Sequence, residues 1–432
     1  MKKSRFLLIP LLLGGLMSLS ACTLFDDSDI AIKNEYNPPS DEPEIDPDAV
    51  YAGGVYSVKS SHTPDALVFK TIGYANEEGK IINTYKMGGA NYTEYNVNHG
   101  EDYNTTKSSN NYDLYVPNSL DKNEKHTVIL FIHGGAWVSG FKTDVNKYIY
   151  EFTNRGYIAA TLKYTLLNRD MNNDSLSIFR NMDEIDACIA SIKSVLGELE
   201  FDTTKTNLVI GGASSGAHLA MLYAYSRNAS SALPIKYIID AVGPVNIKPE
   251  NWKAFTSVNE EALNTALRED GIASLEADGK LVSLPIAGDK DGYTWSSYQT
   301  MRIANGMCGL PYSLEEVEAA ADSNKEEIAT YNAAATSMTK AGGGEDQLSV
   351  TYWMNQSADK IPLIAAYAGL DTIVGIAQYA TLEPALKHNG IFDEDNYFYF
   401  RNSGHTNIDK VEADSAVYNA FIERIDEVCE AL

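Results

Sequence analysis

Basic side chains are scarce in this 432-residue chain: 34 Lys and Arg stand against 59 Asp and Glu, a formal net charge of −25. So acidic a protein repels phosphate backbones, which excludes nucleic acid as a partner and disfavours polyanionic substrates. Cysteine is scarce as well. Cys22, Cys188, Cys308 and Cys429 have no metal-site spacing, and no other motif implies a metal or an organic cofactor. The run Asp289-Lys290-Asp291-Gly292 opens like a calcium loop, but it lacks the closing glutamate such a loop needs and reads as a turn. The apolar stretch nearest the N-terminus, Phe6 to Met17, is too short for the ~20 residues that a membrane span requires. No internal repeat is present.

That short stretch has another reading. Lys2, Lys3 and Arg5 precede it and Leu19-Ser20-Ala21-Cys22 follows it, the outline of a secretory signal peptide. The four residues also resemble a bacterial lipobox, which implies cleavage after residue 21 and a lipid on Cys22. Export and anchoring to the bacterial cell envelope are therefore expected, with contact to the membrane only through the lipid. Loss of the leader leaves 31 basic against 59 acidic side chains, a balance of −28. Residues 22–49 hold Asp41-Glu42-Pro43-Glu44 and Pro38, Pro39 and Pro47 with almost no apolar periodicity, a composition that cannot bury a core and reads as a solvated tether. Residues 50–432 read as one large domain. With Cys22 acylated, three thiols remain, and Cys188 sits in the apolar phase of a helix expected over 182–199, the place of a buried thiol.

Within that domain, helices expected over 144–154 and 175–199 alternate with strands over 157–164, 207–210 and 236–245. Alternating βα units predict an α/β fold with a mostly parallel sheet covered by helices on both faces. Residues 50–100 are tyrosine-rich and strand-like in places, which suggests an added edge hairpin. The most informative site is Gly212-Ala213-Ser214-Ser215-Gly216, between the apolar run Leu208-Val209-Ile210 and the helix-like Ala217 to Leu222. Strand, Gly-x-Ser-x-Gly and helix make a nucleophile elbow, in which small neighbours let the backbone bend sharply and lift the serine hydroxyl out of the sheet. Ser214 is the candidate nucleophile. Upstream, the β run Thr127 to Ile132 opens into His133-Gly134-Gly135-Ala136-Trp137. This is an HGGG-type loop, whose amides at Gly134, Gly135 and Ala136 would form an oxyanion hole with that of Ser215.

A serine hydroxyl is a weak nucleophile and needs a histidine base oriented by a carboxylate, in the chain order Ser, acid, His. Only His218, His388 and His405 follow Ser214. His218 lies inside the elbow helix, where it packs or caps, and His388 ends an amphipathic stretch as a solvated residue. His405 follows Tyr397-Phe398-Tyr399-Phe400 and Ser403-Gly404, a strand running into a tight loop, and is the expected base. Asp371 ends the apolar run from Ile361 to Ala368 and is the expected acid, 157 residues after Ser214 and 34 before His405. Asp393 and Asp395 compete for that role from a polar turn.

These residues resemble the α/β-hydrolase superfamily, in particular the bacterial esterases with an HGGxW loop that are related to hormone-sensitive lipase and to acetyl and feruloyl esterases. The likeness runs from about Tyr112 to the C-terminus and includes Tyr112-Asp113-Leu114-Tyr115-Val116-Pro117, Lys163-Tyr164-Thr165-Leu166 and Phe201-Asp202. It implies an α/β-hydrolase fold and hydrolysis of a small-molecule or polysaccharide-linked ester through an acyl-enzyme. A serine peptidase of the prolyl-oligopeptidase type, and an inactive binding module on the same fold, are the alternatives.

Between the expected strands ending at Val245 and starting at Ile361 the chain spends over a hundred residues, and 246–347 reads as a cap over the site. Capping-box patterns from Ser313 to Glu316 and Ser323 to Glu326 suggest helices there. Trp137, Trp295 and Tyr298 are candidate walls of a substrate pocket, although Trp137 also suits a packing role beneath the oxyanion loop.

Overall fold

The structure is a computed structural model of the whole chain, and it describes residues 55–57, 66–73, 111–167, 177–247, 257–258, 293–294, 307, 347–371 and 373–432. The chain divides into two units, Met1–Glu42 and Pro43–Leu432, and every described residue belongs to the second. The expected leader, Cys22 and the whole of the expected tether over 22–49 lie outside the described residues. So do Cys308, Trp295, Tyr298, the Asp289 turn, the two capping-box runs and most of the 246–347 insertion.

Nine strands form one sheet: β1 (Val55–Ser57), β2 (Ala66–Gly73), β3 (Asn111–Pro117), β4 (His126–Ile132), β5 (Ile158–Lys163), β6 (Thr206–Ala213), β7 (Ile235–Ala241), β10 (Leu363–Ala368) and β11 (Tyr397–Phe400). β8 (Ser257–Val258) and β9 (Tyr293–Thr294) pair antiparallel as a separate ribbon within the insertion. The order across the large sheet is β1-β2-β3-β5-β4-β6-β7-β10-β11. Its first three strands pair antiparallel with their neighbours, and β5 through β11 run parallel. β1 and β2 supply the hairpin expected at one edge. β4 is buried along its whole length, His-Thr-Val-Ile-Leu-Phe-Ile, as a parallel strand covered on both faces must be.

Helix α1 (Asn146–Asn154) and the C-terminal α6 (Ser415–Ala431) pack on one face. Ile149 and Phe152 of α1 and Phe421, Ile422, Ile425 and Val428 of α6 meet Ile129, Phe131, Val209, Ile239 and Ile364 there. On the other face, α2 (Ile178–Glu198) and α3 (Ser215–Arg227) lie together, joined where Tyr223 donates to Asp186 at 2.7 Å. Helix α2 starts where Ser177 accepts from the Arg180 amide, and it buries Ile178, Met182, Ile185, Ile189, Ile192 and Leu196 at the three- and four-residue spacing of one helical stripe. Cys188 lies within that buried stripe as expected, and neither it nor Cys429 is in a disulfide. The short α4 (Val350–Gln356) and α5 (Ala377–His388) complete the set. The order and direction of the strands, with helices on both faces, are those of the α/β-hydrolase fold.

Some boundaries differ from expectation. The helix expected from residue 144 begins at Asn146, after a 3₁₀ turn over Lys142–Val145. The strand expected to reach Val245 stops at Ala241, because the backbone turns at Val242 with φ of 52°. The amide of Val242 nevertheless reaches across to Ala366 O at 2.8 Å. β4 and β6 are neighbours, yet the chain leaves β4 towards β5 and leaves β6 towards β7 on the opposite side. Such a reversal opens a crevice at the carboxyl ends of the strands, the usual ligand site of an open α/β sheet.

Candidate active site

The turn after β6 carries Ser214 with φ of 54° and ψ of −123°, backbone that an L-residue adopts only under constraint. Two bonds hold it: the Ser214 amide donates to Ala241 O at 2.8 Å, and Ser214 O accepts from the His218 amide at 3.1 Å. The elbow also needs its flanking glycine for space. A Cβ on Gly216 would stand 2.2 Å from Ile132 O, so only glycine lets α3 start so close against the end of β4.

The loop leaving β4 folds back beside this turn, with the Cβ position of Gly134 3.1 Å from Ser214 Cβ. Gly135, Ala136 and Trp137 have φ of 115°, 51° and 63°, three successive residues in left-handed backbone. Gly135 O closes the turn by accepting from the amides of Val138 and Ser139 and from Ser139 Oγ. The amides of Gly135, Ala136 and Ser215 have no backbone acceptor among the described residues. Ser215 opens α3, where a helix leaves its first amides unpaired and its dipole positive. Donors of this kind suit a developing oxyanion.

Buried polar groups brace the loop from behind. His133 Nδ1 donates to Gly134 O at 2.7 Å and the ring stacks on Tyr164 with centroids 4.4 Å apart. Burial pushes its pKa down to about 3, so the ring is a neutral brace. After β5, Thr165 gives its amide and hydroxyl to the buried Glu184 carboxylate at 2.8 and 2.6 Å. Two residues on, the Leu167 amide reaches Trp137 O at 2.9 Å. The Lys163-to-Leu166 segment thus fixes the chain that supports the loop.

Asp371 follows β10 and is fully buried. Its Oδ1 accepts from the amides of Ile373 and Val374, both at 2.8 Å, and its Oδ2 lies 2.6 Å from His405 Nδ1. His405 Nε2 is 2.8 Å from Ser214 Oγ. A carboxylate can only accept, so Nδ1 carries the ring proton and Nε2 faces the serine hydroxyl as an acceptor. The histidine loop is held at both ends: Asp414, at the start of α6, accepts from the Asn402 amide, Asn402 Nδ2 and Ser403 Oγ, while Asn407 accepts from the Gly404 amide. The Leu370 amide bonds Ser403 O at 2.9 Å, which joins the acid loop to the base loop.

The structure therefore brings together Ser214, Asp371, His405, the Gly134 to Ala136 loop and Ser215, all at the carboxyl ends of β4, β6, β10 and β11. It keeps the competitors apart. His388 is exposed at the end of α5, Asp393 and Asp395 are exposed in the turn before β11, and His218 is buried with both nitrogens engaged. Trp137 is not a pocket wall: it is 1% exposed, packs edge-on against His218 and donates its indole N–H to that ring. Asp414, Asn407 and Glu184 position the site without having been visible in the sequence, since each acts through contacts distant along the chain. Among the described residues, no group of three or more His, Cys, Asp or Glu is placed to hold a metal, and no helix is long and apolar enough to cross a membrane.

Residues 112–276 match the family described as BD-FAE. None of the curated proteins matches the chain. Among solved structures, the chain is similar to esterase B of Lactobacillus rhamnosis at 12% identity and a TM-score of 0.46, with 76% of this chain and 85% of that one covered. It is also similar to esterase 2 of Thermogutta terrifontis phosphonylated by sarin, at 15% identity, a TM-score of 0.46 and 75% and 91% coverage. Esterase LipW of Mycobacterium marinum stands at 11% identity, a TM-score of 0.45 and 74% and 77% coverage.

Proposed function

We propose that the protein is a serine carboxylic-ester hydrolase, exported and held at the cell envelope by a lipid on Cys22. The observation that carries the chemistry is the imidazole of His405 bridging Ser214 Oγ at 2.8 Å and buried Asp371 at 2.6 Å. In this reading Ser214 Oγ attacks the ester carbonyl as His405 Nε2 takes its proton. Asp371 keeps the imidazole in the needed tautomer and stabilises the imidazolium that forms. The negative charge that develops on the carbonyl oxygen falls to the amides of Gly135, Ala136 and Ser215, with Gly134 shaping the approach. His405 then protonates the leaving alcohol, and water enters by the same route to release the acid.

The BD-FAE match over 112–276 takes in the oxyanion loop and the elbow and supports an ester over an amide substrate. Turnover of p-nitrophenyl acetate, butyrate and octanoate, compared with an aminoacyl-proline anilide, separates this reading from a peptidase and from an inactive binding module. Ser214→Ala should lower ester turnover by roughly 10³-fold or more while leaving the fold intact. Hydrolysis of the anilide but not the esters, or unchanged turnover in the variant, would overturn the proposal.

A further inference from the structure

His218 stands one turn beyond the nucleophile on α3 and is fully buried. Its Nε2 lies 2.8 Å from Leu348 O. A carbonyl only accepts, so Nε2 bears the hydrogen and Nδ1 is left as an acceptor. The indole N–H of Trp137 points to that acceptor at 3.3 Å, and the two rings meet edge to face at 88° with centroids 5.3 Å apart. Both partners call for the same neutral tautomer, and a second proton would set a donor on Nδ1 against the indole N–H. Burial favours the neutral ring as well, pushing the pKa down to about 4.

The two ends of this bridge matter more than the bridge itself. Trp137 closes the run of left-handed residues in the oxyanion loop, with φ of 63°, a conformation that persists only when its surroundings enforce it. Leu348 directly follows the 246–347 insertion, and the chain at its two ends is fixed. Val350 N donates to Val245 O, Ile247 N donates to Ser349 Oγ, and Gln378 Oε1 accepts from the amides of Val245 and Asn246. His218 therefore spans three parts of the site: the oxyanion loop, the helix that carries Ser214, and the anchored base of the insertion.

We propose that His218 is a positioning residue that holds the oxyanion loop in register with Ser214, gripping Trp137 through Nδ1 and, through Nε2, the chain that follows the insertion. The inference rests on the ester-hydrolase reading above. Its action is confined to the transition state, because the loop amides meet their full charge only when the carbonyl oxygen becomes an oxyanion.

Three substitutions in the full-length protein separate the two bonds, with p-nitrophenyl acetate as substrate and circular dichroism melting as the check on folding. Trp137→Phe removes the indole donor and keeps an aromatic ring. His218→Gln retains a donor near Nε2 for Leu348 and loses the Nδ1 acceptor, whereas His218→Asn retains an acceptor near Nδ1. Trp137→Phe and His218→Gln should each lower kcat about tenfold with KM changed by less than about twofold, a fraction of what one lost oxyanion donor costs. Their double variant should be little worse than either alone, and His218→Asn should recover most of the loss. Affinity for a trifluoromethyl ketone, which traps Ser214 as a bound oxyanion, should fall in step with kcat. Values of kcat within about twofold of the parent in both single variants, or losses that multiply in the double variant, would overturn the proposal. If His218→Gln does not fold, Trp137→Phe with its ketone affinity decides alone. A parent protein that hydrolyses no ester would sink the reading of function, and this inference with it, an outcome distinct from an active parent with indifferent variants.

Discussion

Asp240 lies on β7, two residues before the Val242 turn, and is fully buried. Its Oδ1 accepts from the Gly243 amide at 2.8 Å. Tyr367 Oη is 2.8 Å from Asp240 Oδ2 and 2.7 Å from Gly243 O. The phenol has one proton for two acceptors. If Asp240 is protonated, its hydroxyl donates to Tyr367 and Tyr367 donates to Gly243 O, so every member of the chain is satisfied. If Asp240 is ionised, Tyr367 must turn to the carboxylate and a buried carbonyl loses its donor. Burial accordingly raises the Asp240 pKa to about 7. A folded-state pKa above the unfolded value means that the native state binds the extra proton. The stabilisation is complete below about pH 4 and is lost as pH rises towards and through 7. A shift of about three units at ~1.4 kcal/mol each bounds the loss at about 4 kcal/mol, of which the window from pH 5 to 8 contains about 2–3 kcal/mol. Asp240→Asn keeps the acceptor for Gly243 and donates to Tyr367 as the protonated acid does, but it does not titrate. Equilibrium urea unfolding of both proteins at pH 5 and pH 8 should show the parent losing about 2–3 kcal/mol more than the variant over that range. Stabilities that fall in parallel, within ~0.5 kcal/mol, would refute a protonated Asp240.

Three further expectations concern the site and the proposed leader. His405→Ala should abolish ester turnover nearly as fully as Ser214→Ala, whereas His388→Ala, altering an exposed helix end, should leave kcat within about twofold; the reverse result in steady-state assays would reassign the base. Asp371→Asn should keep the fold but lower kcat by about 10⁴, because an amide at this place allows the wrong imidazole tautomer; a loss under about tenfold would remove Asp371 from the triad. Cys22→Ser should move activity from the membrane fraction to the soluble fraction or stop normal processing, and unchanged membrane association on fractionation would point to an uncleaved helix.

The parts of the fold that could be read from the sequence are those whose burial is symmetrical. β4 and β6 are apolar runs because both faces of a central parallel strand are covered, and each leads into a glycine-rich turn, so strand and turn mark each other. The boundaries that failed are those where an apolar run carries on past the end of the element. Val242 takes φ of 52° although it is β-branched, and what holds it there is a bond to Ala366, a strand away in space and 124 residues away in the chain. Gly243-Pro244, directly after it, is a turn signal in the sequence, and it marks the strand end better than the apolar run to Val245 did. No such signal accompanies Asp414 and Asn407, whose side chains hold the His405 loop. Neither lies in a motif, and Asp414 in the sequence is one acidic residue among many.

The site itself was legible for a related reason, and Trp137 shows where that legibility ended. Ser214, Asp371 and His405 each sit just past an apolar strand, so the requirement that all strand ends share one edge of the sheet puts the three side chains near one another before any distance is known. A side chain's direction is not determined by that argument. Trp137 follows its strand as closely as the triad residues follow theirs, and on position alone it could face substrate or core. The left-handed backbone through Gly135, Ala136 and Trp137 settles the question: it accompanies an indole turned inward, against His218 at the foot of α3. The same turn leaves the amides of Gly135 and Ala136 without backbone acceptors. Burial of the tryptophan and availability of the donors thus accompany one backbone conformation, and in the proposed reading an aromatic residue at this place in the loop acts from outside the pocket.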